Sequence, residues 1–135
     1  MLARREHSEK ELCRKLTGRD FNPDEVARVI TQLKQEGLQS DRRFTDALVH
    51  NRIEKGYGPA WIARELREKG VSDDLIADAL HTGEVDWFAC AIRVREKKYG
   101  RAKPDNYREQ ARQSRFLQYR GFSGEQIRGV FDDCD

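Results

Sequence analysis

Arg115-Phe116-Leu117-Gln118-Tyr119-Arg120-Gly121-Phe122-Ser123-Gly124-Glu125-Gln126-Ile127 lines up with Arg64-Glu65-Leu66-Arg67-Glu68-Lys69-Gly70-Val71-Ser72-Asp73-Asp74-Leu75-Ile76, and a third copy lies upstream of both. The apolar anchors keep step through all three: Leu16, Leu66 and Leu117; Phe21, Val71 and Phe122; Val26, Ile76 and Ile127; Ile30, Leu80 and Phe131. The spacing is 50 residues from Leu16 to Leu66 and 51 from Leu66 to Leu117. Four anchors holding one long period indicate modules that bury their apolar faces against neighbours, as helical arrays do. Arrays make long surfaces and rarely make catalytic pockets.

Working outward, helix punctuation fills in the modules. Ser8 with Glu11 forms a capping box, so a helix starts near Glu9 and runs to about Thr17. Asn22-Pro23-Asp24-Glu25 supplies a cap, a first-turn proline and acids at the positive end of the dipole. That helix carries Val26, Val29, Ile30 and Leu33 on one face and ends at Gly37. Ser40 caps the next, with Phe44, Ala47, Leu48 and Asn51 inward and Gly56 as its end. Pro59 opens a helix with Ile62, Ala63 and Leu66 inward, stopped by Gly70. Ser72 caps one that buries Leu75, Ile76, Ala79 and Leu80 before Gly83. A longer helix is expected from about Val85 to Lys98, inward through Phe88, Ala91, Ile92 and the stem of Arg95, ending at Gly100. A basic, mobile connection then leads to Pro104, which opens a helix to about Arg120, and Ser123 with Gln126 caps the last one.

Alternating strand patterns with turn signals are missing. The expected fold is therefore all-α, with eight helices. Three repeats of three would need nine, so the first repeat lacks its opening helix. The expected units are residues 1–39 (incomplete), 40–83 and 84–135. Loops are short, as suits helices packed on sequential neighbours.

Composition agrees with thin layers rather than one thick core: 37% of residues are hydrophobic and 37% charged. Net charge is only +2, but charge is segregated. Arg93 to Arg120 holds ten Lys/Arg against three Asp/Glu, whereas Val71 to Trp87 holds five acids and no Lys or Arg. A basic stripe of this kind suits a polyanion or an acidic protein groove. Cys13, Cys90 and Cys134 form no C-x-x-C pair and read as reduced thiols. No apolar run reaches the roughly 20 residues of a membrane span, and Met1-Leu2-Ala3-Arg4-Arg5 lacks a secretory h-region. A cytoplasmic protein is expected, away from membranes.

Three blocks then become recognisable. Arg5-Glu6-His7-Ser8-Glu9-Lys10-Glu11-Leu12 with Lys15-Leu16 resembles the opening signature of the RecX family, modulators of the RecA recombinase. Lys55-Gly56-Tyr57-Gly58-Pro59-Ala60-Trp61-Ile62, with Glu65-Leu66 and Lys69-Gly70, resembles that family's middle signature. Arg115-Phe116-Leu117 with Arg120-Gly121-Phe122 resembles its C-terminal one. The resemblance spans essentially the whole chain. It implies three tandem three-helix repeats in an elongated curved array. It also implies a regulator, not an enzyme, that binds along the groove of the RecA–single-stranded DNA filament and limits filament growth, ATPase and strand exchange.

A curved rod of repeats touching several protomers gains from multivalency, with its cations meeting acidic protein or phosphate. Candidate contact residues are Lys97, Lys98, Arg101, Lys103, Arg112, Arg115 and Arg120 in the third repeat, with Arg5, Lys15, Arg43, Arg52, Lys55, Arg64 and Arg67 elsewhere. Arginine's planar fork suits carboxylate and phosphate. Taken singly, such residues read as solvated helix faces. Tyr99, Tyr107, Phe116 and Tyr119 lie among the cations, where they either stack bases or pack helices. Trp61 and Trp87 are expected to seal repeat junctions.

The three histidines have no metal-ligand spacing, and there is no Walker motif, G-x-G-x-x-G or nucleophile–base set. No cofactor is expected, and the chain is expected to act as a monomer with weak, non-specific affinity for single- and double-stranded DNA. The competing reading is a stand-alone, non-specific or helix-turn-helix DNA binder. Its recognition helix is hard to place, because helices after tight turns begin Ser-Asp-Asp or Asn-Pro-Asp-Glu, which repel a DNA backbone.

Overall fold

The computed structural model describes residues 5–19, 21–81 and 83–132. Among them are eight helices and no strand: α1 (Glu9–Thr17), α2 (Pro23–Gln35), α3 (Asp41–Glu54), α4 (Pro59–Glu68), α5 (Asp73–His81), α6 (Trp87–Tyr99), α7 (Tyr107–Tyr119) and α8 (Gly124–Asp132). The expectations for Met1 to Arg4 and for Cys134 fall outside the described residues. Capping follows sequence closely. Ser8 and Glu11 close a reciprocal box, as do Ser123 and Gln126, while Asn22 and Ser40 each accept from the N–H of the third helical residue, Glu25 and Arg43.

Two starts differ from expectation. α6 begins at Trp87, because Asp86 accepts from Ala89 N–H. α7 begins at Tyr107 rather than Pro104, because Asn106 accepts from Glu109 N–H. The connection between them is not a free loop, since the Arg95 guanidinium donates to the Ala102 carbonyl at 2.6 Å. Arg95 is 2% exposed in its entirety, not by its stem alone. Its Nε donates to Gln113 Oε1 at 2.8 Å, and the guanidinium lies 5.6 Å from the Phe131 ring.

Helices pack as α1 on α2, as α3 with α4 and α5, and as α6 with α7 and α8. Two apolar clusters result. A large one runs without a break from Phe44 in α3 to Val130 in α8, and a small one holds Leu12, Val26 and Ile30.

The repeat anchors land accordingly. Leu66 and Leu117 are both fully buried, whereas Leu16 is half-buried beside Leu12. Val71 and Phe122 are buried, but Phe21 is 41% exposed, because the described part of the first module has no third helix to cover it. In the last copy Val130 takes the buried place, and Phe131 lies half-buried beneath Arg95. The inner face of α3 is rotated from expectation. Phe44, Thr45 and Val49 are buried while Ala47 and Asn51 are exposed, because α3 meets both α5 and α4.

Candidate functional site

The junction of the second and third modules begins with two glycines. Gly58 donates its N–H to the Arg120 carbonyl at 2.7 Å, and Ala60 donates to the Gly121 carbonyl at 2.9 Å. The orphan N–H groups that open α4 are thus satisfied by carbonyls just past the end of α7, and α4 has no side-chain cap. The backbones can meet because neither residue has a side chain. A Cβ on Gly58 would lie 2.6 Å from Gly121 C, and one on Gly121 would lie 2.5 Å from Trp61 N.

Around this contact, cations and rings alternate. Arg64 sits 5.1 Å over Trp61, which stacks on Tyr57 at 4.6 Å. Arg120 lies 5.0 Å from the Tyr57 ring and 5.1 Å from Phe116, and donates to the Lys55 carbonyl at 3.1 Å. Lys98 lies 4.5 Å from the same Phe116, which meets Tyr99 edge-on at 5.6 Å. Each such contact adds on the order of 0.5–1 kcal/mol where exposed, and together they fix the cations in place. Trp61 therefore serves the junction as expected. Trp87 also spans the boundary, donating from its indole in the third module to the Leu80 carbonyl of the second at 2.8 Å.

Beside the junction opens a groove of about 660 Å³. Its floor is Ile53, Gly56, Cys90, Val94 and Phe116. Its rim carries Lys55, Arg93, Lys97, Lys98 and Arg120, against one carboxylate, Glu54, which pairs with His50 at 3.1 Å. Four of the fourteen sequence candidates converge here: Lys55, Lys97, Lys98 and Arg120. Arg93 was missed, although it stands one helical turn before Lys97 on the same face of α6. On the other side of Lys55 a shallower hollow of about 650 Å³ gathers Arg52, Tyr57, Trp61 and Arg64.

The remaining candidates are dispersed. Arg5 pairs with Glu11 at 3.0 Å, Arg43 with Glu6 at 3.0 Å and Arg67 with Asp73 at 3.3 Å. Arg52 grips Glu65 with two donors at 2.6 and 2.7 Å. Arg112 holds Glu109 the same way at 2.6 and 3.0 Å, which keeps Glu109 below the usual carboxylate range. Arg101 approaches Glu96 at 4.0 Å, Lys103 lies exposed on the connection tethered by Arg95, and Arg115 is exposed on α7. Tyr107 and Tyr119 are 84% and 74% exposed.

The junction of the first and second modules is built differently. Lys69 pairs with Glu11 at 3.3 Å, and Lys10 donates to the Glu68 carbonyl at 3.3 Å. Asp41 caps the opening N–H of α1 at 2.8 Å. Burial alone would push Glu11 up, but hydrogen bonds from Arg5, the Ser8 N–H and Lys69 prevail and bring it down to about 2. Lys15 approaches His7 Nε2 at 2.9 Å. An ammonium only donates, so Nδ1 carries the ring proton, and it is buried. Burial first, then Arg5 and Lys15, lower the His7 pKa.

Among the described residues no group of three or more His, Cys, Asp or Glu could hold a metal, and no helix is long and apolar enough to cross a membrane.

Family models for the first, second and third three-helix domains of RecX match residues 1–33, 40–80 and 84–131. Regulatory protein RecX of Halorhodospira halophila is 46% identical over 135 residues, covering 100% of this chain and 84% of that one. The Legionella pneumophila protein of the same name is 41% identical over 133 residues, covering 98% and 89%. The crystal structure of RecX from Lactobacillus salivarius superposes with a TM-score of 0.85 at 26% identity, over 99% of this chain and 89% of that one.

Proposed function

The chain belongs to the RecX family, and from that membership we propose that it regulates a RecA-type recombinase by binding along the groove of the RecA–single-stranded DNA filament. In this reading it inhibits filament extension, ATPase and strand exchange, and so modulates recombination and the SOS response. It acts by occupying a surface in the cytoplasm, as a monomer, and not by catalysis. Weak, non-specific DNA affinity accompanies the main contact.

The observation that supports this best is the convergence of Lys55, Lys97, Lys98 and Arg120, with Arg93, on one groove at a junction of modules. Cations anchored to aromatic rings and to a backbone carbonyl have lost much of their rotamer freedom before binding, which lowers the entropy cost of a contact. The internally paired arginines are already engaged, Arg52 by Glu65 between α3 and α4 and Arg112 by Glu109 within α7.

The test is the ATPase of RecA on single-stranded DNA, with this protein titrated onto growing and preformed filaments. The native protein inhibits. The double variant Lys55→Glu with Lys97→Glu needs at least about tenfold more protein for half-inhibition, about 1.4 kcal/mol, while its circular dichroism stays native. Full inhibition by the double variant removes the groove from the contact, and no inhibition by the native protein removes the regulator reading.

A further inference from the structure

We infer that the groove between α3, α6 and α7 is a docking site for an acidic peptide segment that carries one apolar anchor side chain. This rests on the regulator reading for its setting and deepens it by naming the kind of partner the groove fits.

Two properties of the groove carry the inference. The first is its layered chemistry. The floor is apolar, from Ile53, Val94 and Phe116, with the buried Cys90 thiol beneath. The walls above it carry Lys55, Arg93, Lys97, Lys98 and Arg120. A ligand that matches must place an apolar group deep and carboxylates around it. The second property is size. A volume of about 660 Å³ lies in the range that small ligands fill, room for an apolar anchor together with the residues that flank it.

A nucleic-acid strand fits less well. Bases need an open aromatic face on which to stack, and the Phe116 ring is already occupied by Lys98 at 4.5 Å and Arg120 at 5.1 Å. The exposed rings, Tyr107 and Tyr119, are not part of the groove lining. Glu54 also stands on the rim and repels a continuous run of phosphates. Discrete carboxylates can avoid it and take the cations on the α6 side. The floor cannot easily be filled from within. A Cβ on Gly56 would already meet Val94 at 3.3 Å and Arg120 at 3.2 Å, and its φ of +90° disfavours any side chain.

The test uses the full chain and a synthetic probe, without RecA. A fluorescein-labelled peptide with one phenylalanine flanked on each side by two glutamates is titrated by anisotropy. The expected result is saturable binding, weakened at least about tenfold by Lys97→Glu and by replacement of the probe's phenylalanine with glycine. Val94→Asp should abolish it; Lys97→Glu, on an exposed turn, keeps the test valid should Val94→Asp not fold. Three results overturn the inference: no binding, equal binding of the anchorless probe, or displacement by a thymidine oligonucleotide at equal or lower concentration with the same sensitivity to Lys97→Glu. Failure here with RecA inhibition intact sinks only the docking site. Probe binding with inhibition absent sinks only the regulator reading.

Discussion

The chain makes the same junction twice from different materials. Counting along the repeat, His7, Glu11 and Lys69 in the first junction stand where Tyr57, Trp61 and Arg120 stand in the second. In the second, backbone meets backbone at Gly58 and Gly121, Arg120 stacks on Tyr57, and the apolar cluster continues through. In the first, Lys69 pairs with Glu11, Lys10 reaches a carbonyl, and the apolar cluster stops. One geometric position therefore tolerates either a ring–cation contact or an ion pair. The choice sets whether neighbouring modules share one core. Ion pairs at a partly exposed surface are worth little and are screened by salt. A shared core couples the two modules into one cooperative unit.

Glycine substitutions separate the two junctions most sharply. Gly121 has φ +102° and its Cβ would strike Trp61 backbone, which cannot yield. Strain and overlap together cost Gly121→Ala roughly 3–5 kcal/mol. Gly70 occupies the matching place in the first junction, at φ +83°, and its Cβ meets only the Lys10 side chain at 2.7 Å. The Lys10 Cδ can swing aside, but its Cβ moves only with α1, which ion pairs rather than a shared core hold to the second module, so Gly70→Ala costs about 2–3 kcal/mol. Gly37, with nothing within 4 Å, loses about 1 kcal/mol from backbone strain alone. Urea titration of the three variants measures the series. Equal costs at Gly121 and Gly70 would erase the distinction.

Core truncations sharpen the same contrast. Leu66→Ala removes a fully buried side chain from the large cluster and costs about 2–5 kcal/mol. Hydrogen exchange should then rise together across α3 to α8. Leu12→Ala, in the small cluster, should raise exchange in α1 and α2 while leaving α6 to α8 protected. Uniform loss of protection in Leu12→Ala places all three modules in one unit.

Much of this was legible beforehand, for identifiable reasons. Caps and terminators are local, so Ser8, Asn22, Ser40 and Ser123 announced their helices correctly. The repeat placed Leu66 and Leu117 in the core. The Pro104 start failed because Asn106, two residues on, is the stronger cap and Arg95 holds the intervening chain. The α3 face failed because a helix touching two partners buries a stripe that single-face periodicity misplaces. Of the candidate site, cations were visible as a charge excess, but their partners were not. Arg52 and Glu65 are 13 residues apart, a separation that no helix-face rule links, and Arg120 reaches Lys55 across 65 residues. Arg93 carried a usable signal in its spacing from Lys97, which the charge count absorbed without placing it.

Acid should open the first junction and spare the second, because only the first is built on titrating side chains. Glu11 is bound to Arg5 and Lys69 as a carboxylate and sits at about 2. Its folded pKa lies below its unfolded one, so its contribution is complete above roughly pH 4.5 and is lost as pH falls towards 2. Its full extent is about 3 kcal/mol at most. His7 acts at higher pH. Its pKa is lowered by burial and by Arg5 and Lys15, so below about 6.5 the unfolded chain takes up a proton that the folded chain resists. Stability of α1 and α2 should therefore fall from pH 7 to 5, then further below 4.5. Glu11→Gln should remove the second fall and His7→Gln the first, each read by exchange in α1. The Gly58–Gly121 contact holds no group that titrates in this range, so α6 to α8 should stay protected through the first step. An α1 whose exchange is flat from pH 7 to 3 would mean that packing of Leu12, not charge, holds the first module to the second.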